Sequence, residues 1–269
     1  MTRFKEFSKY FYVLIILVIF YIPLFFAAVF SFNATSDKGF ITFTHWNGFT
    51  WEAYQNLFSN KVVAAFMSSL LLGTLTSFIV IVFSLLTVFS IWKQKSKTIK
   101  VAKNVSTNIS IINPDVIIGI SLALFFSISF GVLSSDSEGF FRAVIGHVVM
   151  ILPYGILIMY PKSEKFNKSI FEASYDLGYP KVKTWFKTYF IYMLPSISFT
   201  LIVSMVLSFD DFIITSITSN SETIGTELYQ GRFQSWALAI GSILLVSVIA
   251  VNIGIFAKGS RKKKEKKYE

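Results

Sequence analysis

At 269 residues the chain is 54% hydrophobic, carries 30 phenylalanines and has a mean hydropathy of +0.61, with only 15% of residues charged. A soluble domain of this length cannot hide that much apolar surface, so lipid must cover it. A formal net charge of +10 raises nucleic acid as a partner, but the charge lies between apolar runs, where it is a topology signal, and the lack of cysteine excludes disulfides, thiolate metal sites and cysteine nucleophiles.

Six apolar stretches can each cross a bilayer, which takes about 20 residues. They fall near residues 10–32, 62–92, 105–133, 141–160, 188–214 and 236–257. The first follows Arg3, Lys5 and Lys9. It exceeds the roughly 7–15-residue core of a signal peptide and lacks a small-x-small cleavage site, so it reads as a retained span. The segment 33–61 contains HWNGFTWEAYQNLFSN, where Ala53, Tyr54, Leu57 and Phe58 predict a short interfacial helix. The third stretch carries Asn113-Pro114-Asp115; a helix starting near Val105 would put Asp115 roughly 15 Å deep, close to the midplane. The fifth is interrupted by Pro195, Asp210 and Asp211, and a basic tail, 258–269, follows the sixth.

Orientation follows from the lysines and arginines. All but Lys38, Lys61, Arg142 and Arg232 of the 25 lie in the N-terminus, the second loop (Lys93, Lys95, Lys97, Lys100, Lys103), the fourth loop or the tail. The tail contributes Lys258, Arg261, Lys262, Lys263, Lys264, Lys266 and Lys267. The positive-inside rule then places both termini in the cytoplasm, as an even number of spans requires. The fold class expected is an all-α integral membrane protein forming one transmembrane domain, 1–269.

Enzymatic chemistry is missing. The sequence has no G-x-x-x-x-G-K-[ST] phosphate loop and no H-E-x-x-H, and its two histidines, His45 and His147, are far apart. No nucleophile stands with a base. The chain therefore reads as a non-enzyme without a cofactor of its own. Transport would have to draw energy from an ion gradient or a separate ATPase.

The fourth loop, 161–187, contains an acidic turn among six lysines. Lys168, Glu172 and Asp176 share one face of a helix, with Phe171 and Tyr175 beside them, and Gly178-Tyr179-Pro180 ends it. Val182, Trp185 and Phe186 begin a second amphipathic segment leading into the fifth span. An interfacial helix with a surface ion pair accounts for these residues; so does a docking element for a partner.

An ionisable side chain at the centre of a bilayer costs at least about 2.5–3.5 kcal/mol, so it faces a cavity or a partner. Asp115 and the Asp210-Asp211 pair are the candidates for a substrate path. Adjacent aspartates point about 100° apart on a helix, so one lines the path while the other pairs with another span or subunit. The span interiors hold no lysine or arginine, which favours a cationic substrate.

The stretch FEASYDLGYPKVKTWFKTYFIYMLP resembles the EAA loop, consensus EAA-x-x-x-G, of bacterial ABC importer permeases. In that family the loop forms a coupling helix seated in a cleft of the ATPase. Carried over by position, the docking motif is Glu172, Ala173, Ser174 and Gly178. Ser174 replaces the second alanine, and the family's I-x-L-P ending is absent at Thr188, Phe190 and Ile191, with a proline only at Pro195. The order WNGFTWEAYQNLF, PDVIIGISLALFF, GHVVMILPYGILIMY, EASYDLG and VLSFDDFIITSIT is similar to the C-type permease subunits of bacterial spermidine/putrescine importers. His147 sits at a matching position and reads as packed or singly hydrogen-bonded. The resemblance implies six transmembrane helices in the type I ABC importer permease (MetI-like) fold. It also implies a second, B-type permease, two ATPase subunits holding ATP and Mg, and an extracytoplasmic polyamine-binding protein. Two readings stay open beside it: a permease of this fold for another solute such as ferric ion, and an ion-coupled cation transporter acting alone.

Overall fold

The computed structural model describes residues 2–36, 41–94, 114–131, 135–229 and 234–265. Expectations resting on Lys38, Lys95, Lys97, Lys100, Lys103, Asn113, Arg232, Lys266 and Lys267 lie outside them, as does the stretch 105–113. Among the described residues the protein is helical apart from one isolated antiparallel bridge, Asn33 to Phe49.

The helices are α1 (Thr2–Phe30), α2 (Glu52–Gln55), α3 (Asn60–Gln94), α4 (Asp115–Phe130), α5 (Asp136–Glu164) and α6 (Lys168–Asp176). They continue with α7 (Lys181–Asp210), α8 (Ile213–Thr218), α9 (Ile224–Tyr229) and α10 (Ser235–Glu265). Five of these, α1, α3, α5, α7 and α10, are long and apolar enough to cross a membrane. The third expected span is described only as α4, whose 16 residues rise about 24 Å, short of a bilayer core of about 30 Å.

Contacts divide the chain into two units, Met1–Val63 with Gln230–Glu269, and Ala64–Tyr229. In the first, α1 packs on α10, and α2 with the 3-10 turn Asn56–Phe58 packs on α10 as well. The expected interfacial helix is thus a single turn that buries Ala53 and extends into a 3-10 turn. Three hydroxyls tie it down: Tyr54 Oη lies 2.8 Å from Ser31 Oγ and 3.0 Å from Ser242 Oγ. Asn33 organises the loop before it. Its amide donates to the carbonyls of Thr42 and His45, and its oxygen accepts from Asn47 N–H at 2.7 Å.

The second unit is held by α3, α5 and α7, each of which carries small or hydroxylated residues where another helix comes close. On α7, Ser196, Thr200, Ser204 and Ser208 recur every four residues and are all buried, forming one narrow stripe. Ser196 Oγ donates to the Ile158 carbonyl of α5 at 3.2 Å. A Cβ on Gly155 would run into the Ser84 hydroxyl, and one on Gly73 would sit 3.2 Å from Met205 Sδ. Close approach maximises dispersion contact, which drives helix association where lipid tails are as apolar as leucine.

At one end of this unit a dense aromatic cluster forms around the buried Leu85, Met159, Phe166, Tyr189 and Met193. Phe89, Trp92, Phe171 and Trp185 pack against it. Its polar tips are satisfied: Trp92 Nε1 donates to the Phe166 carbonyl at 3.1 Å. Ser163 Oγ donates to the Val88 carbonyl, so the Tyr189 hydroxyl, 2.6 Å away, donates to Ser163. Within α7, Trp185–Phe190 form a π-helical turn between the first helical turn and the apolar span.

Candidate functional site

Asp115, Asp210 and Asp211, which lie 96 residues apart at their widest in sequence, meet on one cavity of about 340 Å³. Its other walls come from Met150 and Tyr154 of α5, Val206 and Leu207 of α7, Phe212, Ile213 and Tyr229. Among the described residues no lysine, arginine or histidine lines it. The three carboxylates are held in different ways, and those differences decide what each can do.

Asp115 does not lie ten residues into a helix. It is the first residue of α4, following Pro114 at φ −58° and ψ 139°. Proline has no N–H to give to a preceding turn, and its extended ψ breaks any helical path through it, so the helix starts there. The carboxylate consequently sits at the positive end of the α4 dipole.

Asp210 and Asp211 straddle the end of α7: Asp210 closes the helix and Asp211 turns extended at φ −68° and ψ 128°. That break points the two side chains apart. Asp211 folds back over the start of α8, and its Oδ2 accepts from Thr215 N–H at 3.0 Å and Thr215 Oγ1 at 3.1 Å. Its Oδ1 accepts from Ile214 N–H at 3.3 Å. His147 of α5 adds Nε2 at 3.2 Å from Oδ2, with the two side chains 0% and 5% exposed. His147 is more than packed or singly bonded. Nδ1 lies 2.7 Å from Ser208 Oγ and Nε2 lies 2.8 Å from Thr215 Oγ1. A proton on Nε2 lets the ring donate toward Asp211, while Nδ1 bonds the Ser208 hydroxyl. One imidazole thus joins α5, α7 and α8.

Asp210 is exposed and makes no hydrogen bond or ion pair among the described residues. It also stands at the negative end of the α7 dipole. Asp115 likewise has no donor partner among the described residues. The hydroxyls of Tyr154 and Tyr229 are also without one, and Phe212 stacks on Tyr229 with ring centroids 5.0 Å apart. The two tyrosines were not anticipated from the sequence. Tyr154 directly follows Pro153 on an apolar helix, and a phenol in such a run is the signal that points to it.

The EAA-like residues form a separate surface. Asn167 Oδ1 accepts from Ser169 N–H and caps α6. Lys168 Nζ and Glu172 Oε1 pair at 2.9 Å, both well exposed. The helix ends in a Schellman arrangement: Gly178 N–H donates to the Tyr175 carbonyl and Tyr179 N–H to that of Ser174. Gly178 takes φ +78°, the left-handed conformation this ending requires. Ala173 and Gly178 are exposed, but Ser174 is buried. Its hydroxyl donates to Thr184 Oγ1, which donates to the Tyr179 carbonyl. The serine in place of the second alanine therefore braces the elbow between α6 and α7. Phe171 on the inner face meets Trp92 and Phe89 at 5.8 and 6.0 Å. Glu172, with Lys168, Ala173 and Leu177, stays outward.

No protein-family model matches the chain. In structure it superposes on a chain of a bacterial ABC transporter involved in the import of the acidic polysaccharide alginate, with a TM-score of 0.61. The match covers 95% of this chain and 96% of that one at 15% identity, so it shows a shared fold. The fold is thus that of an ABC transporter chain, with several helices of bilayer length. In sequence it is 32% identical to a spermidine/putrescine transport system permease protein PotC homolog of Mycoplasma genitalium, over 98% of this chain and 95% of that protein. It is 34% identical to the PotC homolog of Mycoplasma pneumoniae over 88% of this chain and 85% of the relative. Escherichia coli PotC matches at 24% over 74% of this chain. The chain belongs to the PotC family of transport-system permeases, which are not enzymes.

Proposed function

We propose that this chain is the polyamine-conducting permease subunit of an ATP-driven importer, and that Asp115 and Asp210 carry the ammonium groups of spermidine or putrescine. The observation that carries the reading is the cavity in which, among the described residues, two carboxylates have no partner and no basic residue lines the walls. Asp211, saturated by His147 and α8, holds the site in shape. The remaining wall suits an organic cation: aromatic faces attract ammonium groups by about 0.5–2 kcal/mol, and Met150, Val206 and Leu207 can cover methylenes. Among the described residues no three His, Cys, Asp or Glu side chains are grouped to hold a metal ion.

In this reading the chain forms one permease domain with six spans and both termini cytoplasmic. It pairs with a second, B-type permease, two ATPase subunits holding ATP and Mg, and an extracytoplasmic polyamine-binding protein. Glu172, Ala173, Ser174 and Gly178 form the docking turn on the ATPase. The Schellman ending, the Ser174–Thr184 brace and the packing of Phe171 make that turn stiff, so ATP-driven motion reaches α7, whose far end carries Asp210. Polyamine uptake by the reconstituted complex tests this. Asp115→Asn and Asp210→Asn are expected to raise the KM about tenfold or more, the ~1.5–3 kcal/mol of a hydrogen bond to a charged group. The same uptake constants in both variants as in the parent chain would reject the site.

A further inference from the structure

A second cavity, about 770 Å³, lies between α3, α6 and α7, away from the carboxylates. One wall follows α3 from Phe78 through Leu86 to Lys93, and the facing wall runs along α7 from Ile197 through Phe186 to Lys181. Because chain numbers rise along one wall and fall along the other, Phe78 and Ile197 share one end while Lys93 and Lys181 share the opposite end. From Phe78 to Lys93 the groove is about 22 Å long, more than one leaflet of a bilayer core, roughly 15 Å. Among the described residues everything between its ends is apolar or aromatic, and the two lysines are its only charges. Neither makes an ion pair among the described residues, whereas Lys183 and Lys187 of the same helix lie over the Tyr179 ring at 4.5 and 5.0 Å.

We propose that this groove binds one anionic phospholipid, its acyl chain along α3 and α7 and its phosphate between Lys93 and Lys181. A long apolar slot with both cations at one end matches an amphiphile with a single anionic head. A neighbouring transmembrane helix would leave both lysines unmatched at the rim. Phe171 and Tyr175 of α6 also line the slot, so the lipid bears on the helix that carries Glu172.

The test uses the full chain in nanodiscs of equimolar phosphatidylglycerol and phosphatidylcholine, followed by mild detergent extraction and mass spectrometry of the lipid retained. Phosphatidylglycerol is expected in excess, by about fivefold for each lysine, the ~1 kcal/mol a basic residue contributes at an anionic surface. Lys93→Gln with Lys181→Gln is expected to bring the ratio to near one, while Lys183→Gln leaves it unchanged. No excess on the parent chain, or an excess that survives the double substitution, overturns the proposal. A benzophenone attached through Phe186→Cys gives a second readout. A lipid adduct supports the assignment, and an adduct to a co-expressed second permease in its place overturns it.

Discussion

Replacing His147 with alanine probes the joint that holds Asp211 in place. The imidazole is fully buried and bonds Ser208, Thr215 and Asp211. Its removal takes the charge-assisted contact to Asp211, worth about 1.5–3 kcal/mol, and the Ser208 bond, worth about 1 kcal/mol. It also leaves a hole of roughly 80 Å³, costing about 2 kcal/mol at ~24 cal/mol per Å³. Thr215 and two backbone N–H groups still hold the carboxylate, and neighbours relax into part of the hole. The expected loss is therefore about 3–5 kcal/mol, or a fall of roughly 6–20 °C in thermal midpoint for a unit of this size. The assay is thermal unfolding of the purified chain in detergent, with Ser90→Ala as control, since Ser90 Oγ bonds only its own helix at Leu86 and is exposed. Asp211→Asn alone and with His147→Ala completes a double-mutant cycle, expected to be non-additive by about 1–3 kcal/mol. A fall no larger than that of the control, or additive single effects, would refute the joint.

Other substitutions test neighbouring parts of the argument. Gly225→Ala drives a Cβ into the backbone carbonyl of Asp211, which cannot swing away as a side chain can. It is expected to cost about 1–3 kcal/mol and to impair uptake, whereas Gly241→Ala, with open space around it, changes neither. Gly178→Ala meets no neighbour, so its expected cost of about 1–2 kcal/mol is the left-handed backbone alone; Gly178→Asn should restore most of it on the same melting curve. Glu172→Arg removes an exposed ion pair worth about 0.2–0.5 kcal/mol, so the thermal midpoint should stay within 1–2 °C while co-purification of the ATPase drops sharply. Tyr229→Leu is expected to raise the KM for spermidine about two- to fivefold, and Tyr229→Phe to leave it near the parent value, measured by uptake.

The long helices were legible in the sequence because a bilayer imposes a minimum apolar length, and α1, α3, α5, α7 and α10 meet it. The end of α6 was legible as well, since Gly178 and Pro180 are the residues that a left-handed stop and a restart require. The start of α4 was misread despite its signal: Pro114 marks the break, but the apolar run on both sides of it suggested one continuous span. The carboxylates could be named from their cost in lipid. That one of Asp210 and Asp211 would be partnered was legible too; which one was not, because the partner that saturates Asp211 lies 64 residues upstream and only the packing of α5 on α7 brings His147 there. Ser174 looked like a mild departure from a motif for the same reason: its partner Thr184 becomes a neighbour only after the chain turns at Gly178.

The π-helical turn at Trp185–Phe190 bears on how this chain tolerates changes in length. A turn closed by i to i+5 bonds amounts to a regular helix that has taken in one extra residue locally. Losing one residue there would tighten the turn to an ordinary one and leave both flanks facing as before, Thr184 toward Ser174 and Ser208 toward His147. Losing one anywhere from Ser196 to Ser208 would rotate the end of the helix by about 100° and carry Asp210 and the His147 contact off their targets. Along α7, then, a single-residue deletion has one permissive address, beside the coupling elbow, and the stripe leading to the carboxylates has none.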